Sequence, residues 1–201
     1  MLNTSLKINN PWGLLTLPKH ILSILLKENS MNTSKWTAKD MAEIALVAAI
    51  YVALTITPPL NAISFGAVQF RLSEMLNFLA FYNRKYIVAV TIGCMISNLI
   101  GFGVIDLFVG GFSTLIFVSL GVFLFDKYRK EYLFSGLFNK AFFYFSFFFA
   151  ATMFTIAFEL KFLYGNPFFL TWLTTAAGEL LSLLVGALII DALSKKINFE
   201  R

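Results

Sequence analysis

From residue 41 to residue 192, long apolar runs alternate with short polar breaks. A membrane-spanning helix needs about 20 mostly apolar residues. Six stretches fit that need: 41–58, 66–82, 86–102, 105–125, 137–160 and 168–192. The second and third are short and carry polar interruptions, which predicts shorter or tilted helices. Pro58 and Pro59 end the first stretch, because proline cannot continue a helix. The pattern predicts an all-α integral membrane protein, a bundle of six transmembrane helices occupying residues 40–194. A cytoplasmic extension, 1–39, precedes it and a short cytoplasmic tail, 195–201, follows.

Composition agrees with this reading. Of 201 residues, 58% are hydrophobic and only 13% charged, where soluble domains carry about 25% charge. The Lys and Arg positions set an orientation. Lys7, Lys19, Lys27, Lys35 and Lys39 precede the first span, and Arg84 and Lys85 sit between the second and third. Lys127, Arg129 and Lys130 follow the fourth, and Lys195, Lys196 and Arg201 end the chain. All of these fall on one side if both termini are cytoplasmic and the protein is a multi-pass protein of the plasma membrane. The net charge of +5 then reflects orientation and gives no reason to expect nucleic acid. Cys94 is the only cysteine and His20 the only histidine, so neither a disulfide framework nor a Cys/His zinc site is available. The segment WGLLTLPKHILSILLK is too short to span and lacks a signal-peptide cleavage site. Met31 opens a stretch that reads as a natural start, which would place residues 1–30 upstream of it.

Polar residues inside the apolar runs are the candidate chemistry. A charged side chain near the bilayer centre costs about 2.5–3.5 kcal/mol on insertion scales, so an intramembrane acid implies a site. Glu74 lies in QFRLSEMLNFLAF and Glu179 in TTAAGELLSLLVGALII. Gln69 and Arg71 share the second run with Glu74, and Asn98 lies near the outer end of the third. Trp172, Thr175, Glu179 and Ser182 recur on one helical face, where Trp172 is placed to stack a planar ring. Asp106 is expected to cap the fourth helix or to join a polar stripe with Gly110 and Thr114. Glu159, beside Lys161, reads as interfacial, and the phenylalanine-rich fifth run reads as lipid-facing. Ala45, Ala49 and Ala53 form a small-residue ridge on the first helix. Such a ridge serves either internal packing or docking of a membrane partner.

A carboxylate accepts two N–H bonds from the edge of a guanine-type ring, and an aminomethyl cation would seek a second acid. We expect Glu74 on the ring edge and Glu179 on the amine. The residues alone stop at a small, planar, cationic solute. Catalysis has no support: there is no GxSxG elbow, HExxH cannot occur, and no Walker motif is present.

ISFGAVQFRLSEML, TIGCMISNLIG, DLFVGGFSTL and AAGELLSLLVG together resemble the QueT family over about residues 40–192. The resemblance implies a substrate-binding S component of an energy-coupling factor transporter. It implies capture, from outside, of a queuosine precursor: pre-queuosine-1 (7-aminomethyl-7-deazaguanine) or a relative such as queuine. It implies as partners a membrane T component, docked through the alanine ridge, and two ATPase subunits that use ATP. The chain itself would need no cofactor. A stand-alone secondary transporter, or an S component for another cationic heterocycle or vitamin, is the alternative.

Overall fold

The computed structural model describes residues 36–66 and 68–200; most of the predicted extension, with Met31, lies outside them. Among the described residues, seven α-helices and one long 3-10 helix carry the fold, with two three-residue 3-10 turns, Asp126–Tyr128 and Phe134–Gly136, besides. The main elements are α1 (Ala38–Ile56), α2 (Leu60–Ser64), the 3-10 helix Leu72–Phe81, α3 (Lys85–Gly101), α4 (Val104–Phe125), α5 (Lys140–Ala151), α6 (Phe154–Tyr164) and α7 (Phe168–Ser194). Among the described residues the only strands are β1 (Tyr132–Leu133) and β2 (Phe138–Asn139), a two-residue antiparallel hairpin before α5. Three stretches are long and apolar enough to cross a membrane: Val104–Tyr128, Lys140–Tyr164 and Phe168–Ser194. The 3-10 helix and α3 are shorter apolar helices. The chain is a helical membrane protein.

The second predicted span departs from expectation. Residues 66–82 do not form one α-helix. The backbone from Val68 to Arg71 is non-helical, and the chain then winds as a ten-residue 3-10 helix. A 3-10 helix rises about 2.0 Å per residue against 1.5 Å for an α-helix, so ten residues reach about 20 Å. This element is buried on all sides, Ser73, Glu74 and Leu76 to Phe81 all being inside. It packs between α1, α3, α4 and α7.

Exposed backbone polar groups are not tolerated in lipid, so the non-helical entry must be covered by protein. α7 supplies the cover with a stripe of small residues, Gly178, Ser182 and Gly186, at four-residue spacing. A Cβ on Gly178 would lie 2.9 Å from the carbonyl carbon and oxygen of Gln69, and one on Gly186 would collide with Met75. The Ser182 hydroxyl donates to the Arg71 carbonyl. The stripe thus lets α7 approach the backbone closely and satisfies one of its acceptors.

The phenylalanine-rich run also differs from expectation. It breaks at Thr152–Met153 into α5 and α6. Phe142, Phe145 and Phe149 are buried, with Phe142 stacked on Phe78 at 4.5 Å. The slim 3-10 helix leaves volume that these rings fill, so one face of the run is core and not lipid-facing. At the break, Trp172 Nε1 donates to the Ala151 carbonyl at 3.0 Å and Thr152 Oγ1 to the Phe149 carbonyl at 2.6 Å. These donors occupy carbonyls that an interrupted helix leaves free.

At the basic end of the bundle Lys85 bridges Asp40 (2.8 Å) and Glu43 (2.6 Å), tying the start of α3 to the start of α1. Thr37 and Asp40 form a reciprocal capping box at the start of α1. Arg129 donates to the Phe81 carbonyl at 2.6 Å and pairs with Glu200 at 3.1 Å. We expect Gly178→Leu to force the 68–71 segment away from α7. Overpacking of this kind costs about 1–3 kcal/mol, which thermal unfolding in detergent will register as a lowered midpoint.

Candidate functional site

The 3-10 helix has three residues per turn, so Glu74 and Asn77 eclipse one another. Asn77 Nδ2 donates to Glu74 Oε2 at 2.6 Å, and the Tyr51 hydroxyl of α1 donates to Glu74 Oε1 at 2.5 Å. Tyr51 can come this close because Gly93 of α3 lies against its ring, where a Cβ would be 2.7 Å from Tyr51 Cβ. Glu74 is buried with a donor on each oxygen.

Arg71 precedes the 3-10 helix in extended conformation. It makes no ion pair within 4.0 Å among the described residues. Instead Nη1 donates to Asn98 Oδ1 at 3.0 Å and Nε to the Ser64 carbonyl at 3.3 Å, with Phe65 beneath the guanidinium at 5.2 Å. Asn98 is fully buried and committed: its Nδ2 reaches the Asp106 carbonyl at 3.3 Å and Cys94 Sγ at 3.5 Å. Its role is to hold Arg71 and the start of α4.

Glu179 of α7 is also buried, and its Oε1 has no hydrogen-bond partner. Gln69, Arg71, Glu74 and Glu179 line one internal chamber with Cys94, Thr114 and Phe149. Its volume is about 20 Å³, room for little more than one water. A vestibule of about 550 Å³ lies among Phe65, Phe102, Tyr164, Asn166 and Thr171. Gln69 lines both spaces and so stands at the boundary between them.

The structure thus brings Gln69, Arg71, Glu74 and Glu179 together. It places Trp172 elsewhere, on the α5–α6 break, lining neither space. Asp106 does not cap its helix: Gly103 is the N-cap and no side chain bonds there. Asp106 is buried, and its Oδ2 has no partner. Glu159, expected at the interface, is buried as well, only 7% exposed, and neither of its oxygens has a hydrogen-bond partner. Sequence reasoning also missed Tyr51 and Asn77. The available signal was the i,i+4 pair of Tyr51 and Thr55, two polar-tipped residues on one face of an apolar helix.

The alanine ridge is not internal packing. Ala45, Ala49 and Ala53 are exposed. With Ile92 and Ile96 of α3 they line an open apolar groove.

Residues 41–195 match the family described as QueT transporter. The chain belongs to the QueT family. QueT proteins are transporters, in keeping with the missing catalytic motifs. The chain is also similar to a protein of Lactococcus lactis subsp. cremoris (strain MG1363) named "Queuosine precursor transporter QueT". The two are 59% identical over 162 residues, which cover 81% of this chain and 96% of that QueT protein. No solved structure matches the chain.

Proposed function

We propose that this protein is the substrate-binding S component of an ATP-driven energy-coupling factor importer. Its solute is a queuosine precursor, 7-aminomethyl-7-deazaguanine or a relative such as queuine, captured from outside the cell. The observation that carries this reading is Glu179, a buried acid with an unpaired oxygen aimed into the same chamber as Gln69, Arg71 and Glu74. A guanine-type edge offers two adjacent N–H donors to such a carboxylate, while Gln69 and Arg71 offer donors to its carbonyl oxygen. Glu74 already accepts from Tyr51 and Asn77. It therefore serves as a fixed negative wall, and Glu179 takes the ring edge. The name of the Lactococcus relative favours this class of solute.

The same reading gives six crossings of the plasma membrane: α1, the 3-10 helix, α3, α4, α5–α6 and α7. Both termini are then cytoplasmic, on the side of the Lys85 and Arg129 clusters, and the vestibule opens outward. A planar ring exceeds the chamber's present volume, so its entry displaces Gln69 and separates the 68–71 segment from its neighbours. The groove along Ala45, Ala49 and Ala53 receives a helix of the membrane T component, because alanines permit close helix approach in lipid. ATP is used by the two ATPase subunits.

In proteoliposomes, labelled 7-aminomethyl-7-deazaguanine should accumulate only when the T component, both ATPases and ATP are present. Accumulation by this chain alone down an ion gradient would make it a secondary transporter. In calorimetric titration, Glu179→Gln should weaken binding by about 1.5–3 kcal/mol, the worth of hydrogen bonds to a charged group. Ala49→Leu should abolish co-purification with the T component while retaining solute binding; intact assembly would remove the groove from the interface.

A further inference from the structure

Outside the chamber, the most exceptional polar group is the carboxyl pair of Asp106 on α4 and Glu159 on α6. Each lies within electrostatic reach of the other, and they are 4% and 7% exposed. Three of their oxygens, Asp106 Oδ2 and both oxygens of Glu159, have no hydrogen-bond partner. Neither residue makes an ion pair within 4.0 Å among the described residues. Among the described residues Arg71 is the only cation acting on them, and its guanidinium is already committed to Asn98 and the Ser64 carbonyl.

The pair lies one helical turn from the chamber, on the same helix faces. Gly110, four residues after Asp106, lines the chamber, as does Ile156, three residues before Glu159. One turn is about 5.4 Å. Ser113 of the chamber donates to Thr155 of α6 at 3.1 Å, holding the two faces together. On the other side, Leu160, next to Glu159, lines the vestibule. The pair therefore sits beside the chamber lining on α4 and α6, next in sequence to the vestibule residue Leu160.

We propose that Asp106 and Glu159 seat the primary ammonium group of the transported solute. This rests on the reading above that the solute is a guanine-type ring, whose edge Glu179 holds. An alkylammonium carries three N–H donors and a compact positive charge, matching three orphan acceptors on two facing acids. Occupancy supplies the donors these oxygens lack and offsets the repulsion between the acids. The ring edge and the cation are then recognised by separate acids, and the Asp106–Glu159 pair sets selectivity for an aminomethyl substituent over a neutral one.

The test uses the full chain in detergent and two titrants, 7-aminomethyl-7-deazaguanine and the uncharged 7-methyl-7-deazaguanine. The readout is the ratio of their affinities, which a general loss of stability does not mimic. Glu159→Gln and Asp106→Asn should each lower that ratio about tenfold or more, as expected for loss of a charged hydrogen bond. A ratio unchanged in both variants overturns the proposal. So does wild-type affinity for the methyl compound that rises with sodium chloride, since the pair would then be an inorganic cation site. If wild-type protein binds neither titrant, the functional reading itself fails. If it binds both with equal affinity, the ring reading stands and the ammonium seat alone is wrong.

Discussion

Among the described residues, Arg71 is the single cation within reach of four buried carboxyl groups, Glu74, Asp106, Glu159 and Glu179. Removing an unpaired charge from water costs several kcal/mol even after the protein relaxes. A bundle with this imbalance is poorly explained as a structural device, because apolar residues of similar volume would pack the same space at lower cost. Glu74 is made tolerable locally, by Tyr51 and Asn77. Glu159 has no donor on either oxygen and Glu179 lacks one on Oε1. On the function proposed above, a cationic, donor-rich cargo would supply what the protein leaves out, which would link the energetic imbalance to transport.

The position of Arg71 depends on an unusual piece of backbone. An α-helix through residues 66–82 would have placed Arg71 and Glu74 on one face, where they would neutralise each other. The observed extended entry and 3-10 helix turn Arg71 toward Ser64 and Asn98 while Glu74 faces Tyr51. The small-residue stripe of α7 makes this backbone tenable by covering it and bonding the Arg71 carbonyl. Site and fold are therefore coupled through Gly178 and Ser182, which touch the same segment that carries Gln69 and Arg71.

Much of this was legible in the sequence. The apolar runs located three stretches long enough to cross a membrane, and the cost of an acid in lipid singled out Glu74 and Glu179, which the fold brings to one chamber with Gln69 and Arg71. Other features were hidden for physical reasons. Hydropathy does not distinguish a ten-residue 3-10 helix from an α-helix, and the winding here is fixed by packing against α7. The Phe142, Phe145 and Phe149 face looked lipid-facing because phenylalanine suits both lipid and core; only the slim neighbouring helix decides. Glu159 looked interfacial because Lys161 follows it, yet its burial depends on α4 lying opposite. Asp106 resembled a helix cap, but its backbone carbonyl, not its side chain, is held, by Asn98.

The central claim is that these acids are kept for a visiting cation and not for the stability of the bundle. Thermal unfolding of wild-type protein and Glu179→Gln, each with and without 7-aminomethyl-7-deazaguanine, tests it most directly. The account predicts that the ligand-free variant melts at or above the wild-type temperature, since an unpaired buried acid is removed, and that the ligand no longer raises its midpoint. A variant that melts well below wild type yet retains the full ligand-induced rise would show that Glu179 is structural, and the account would be wrong.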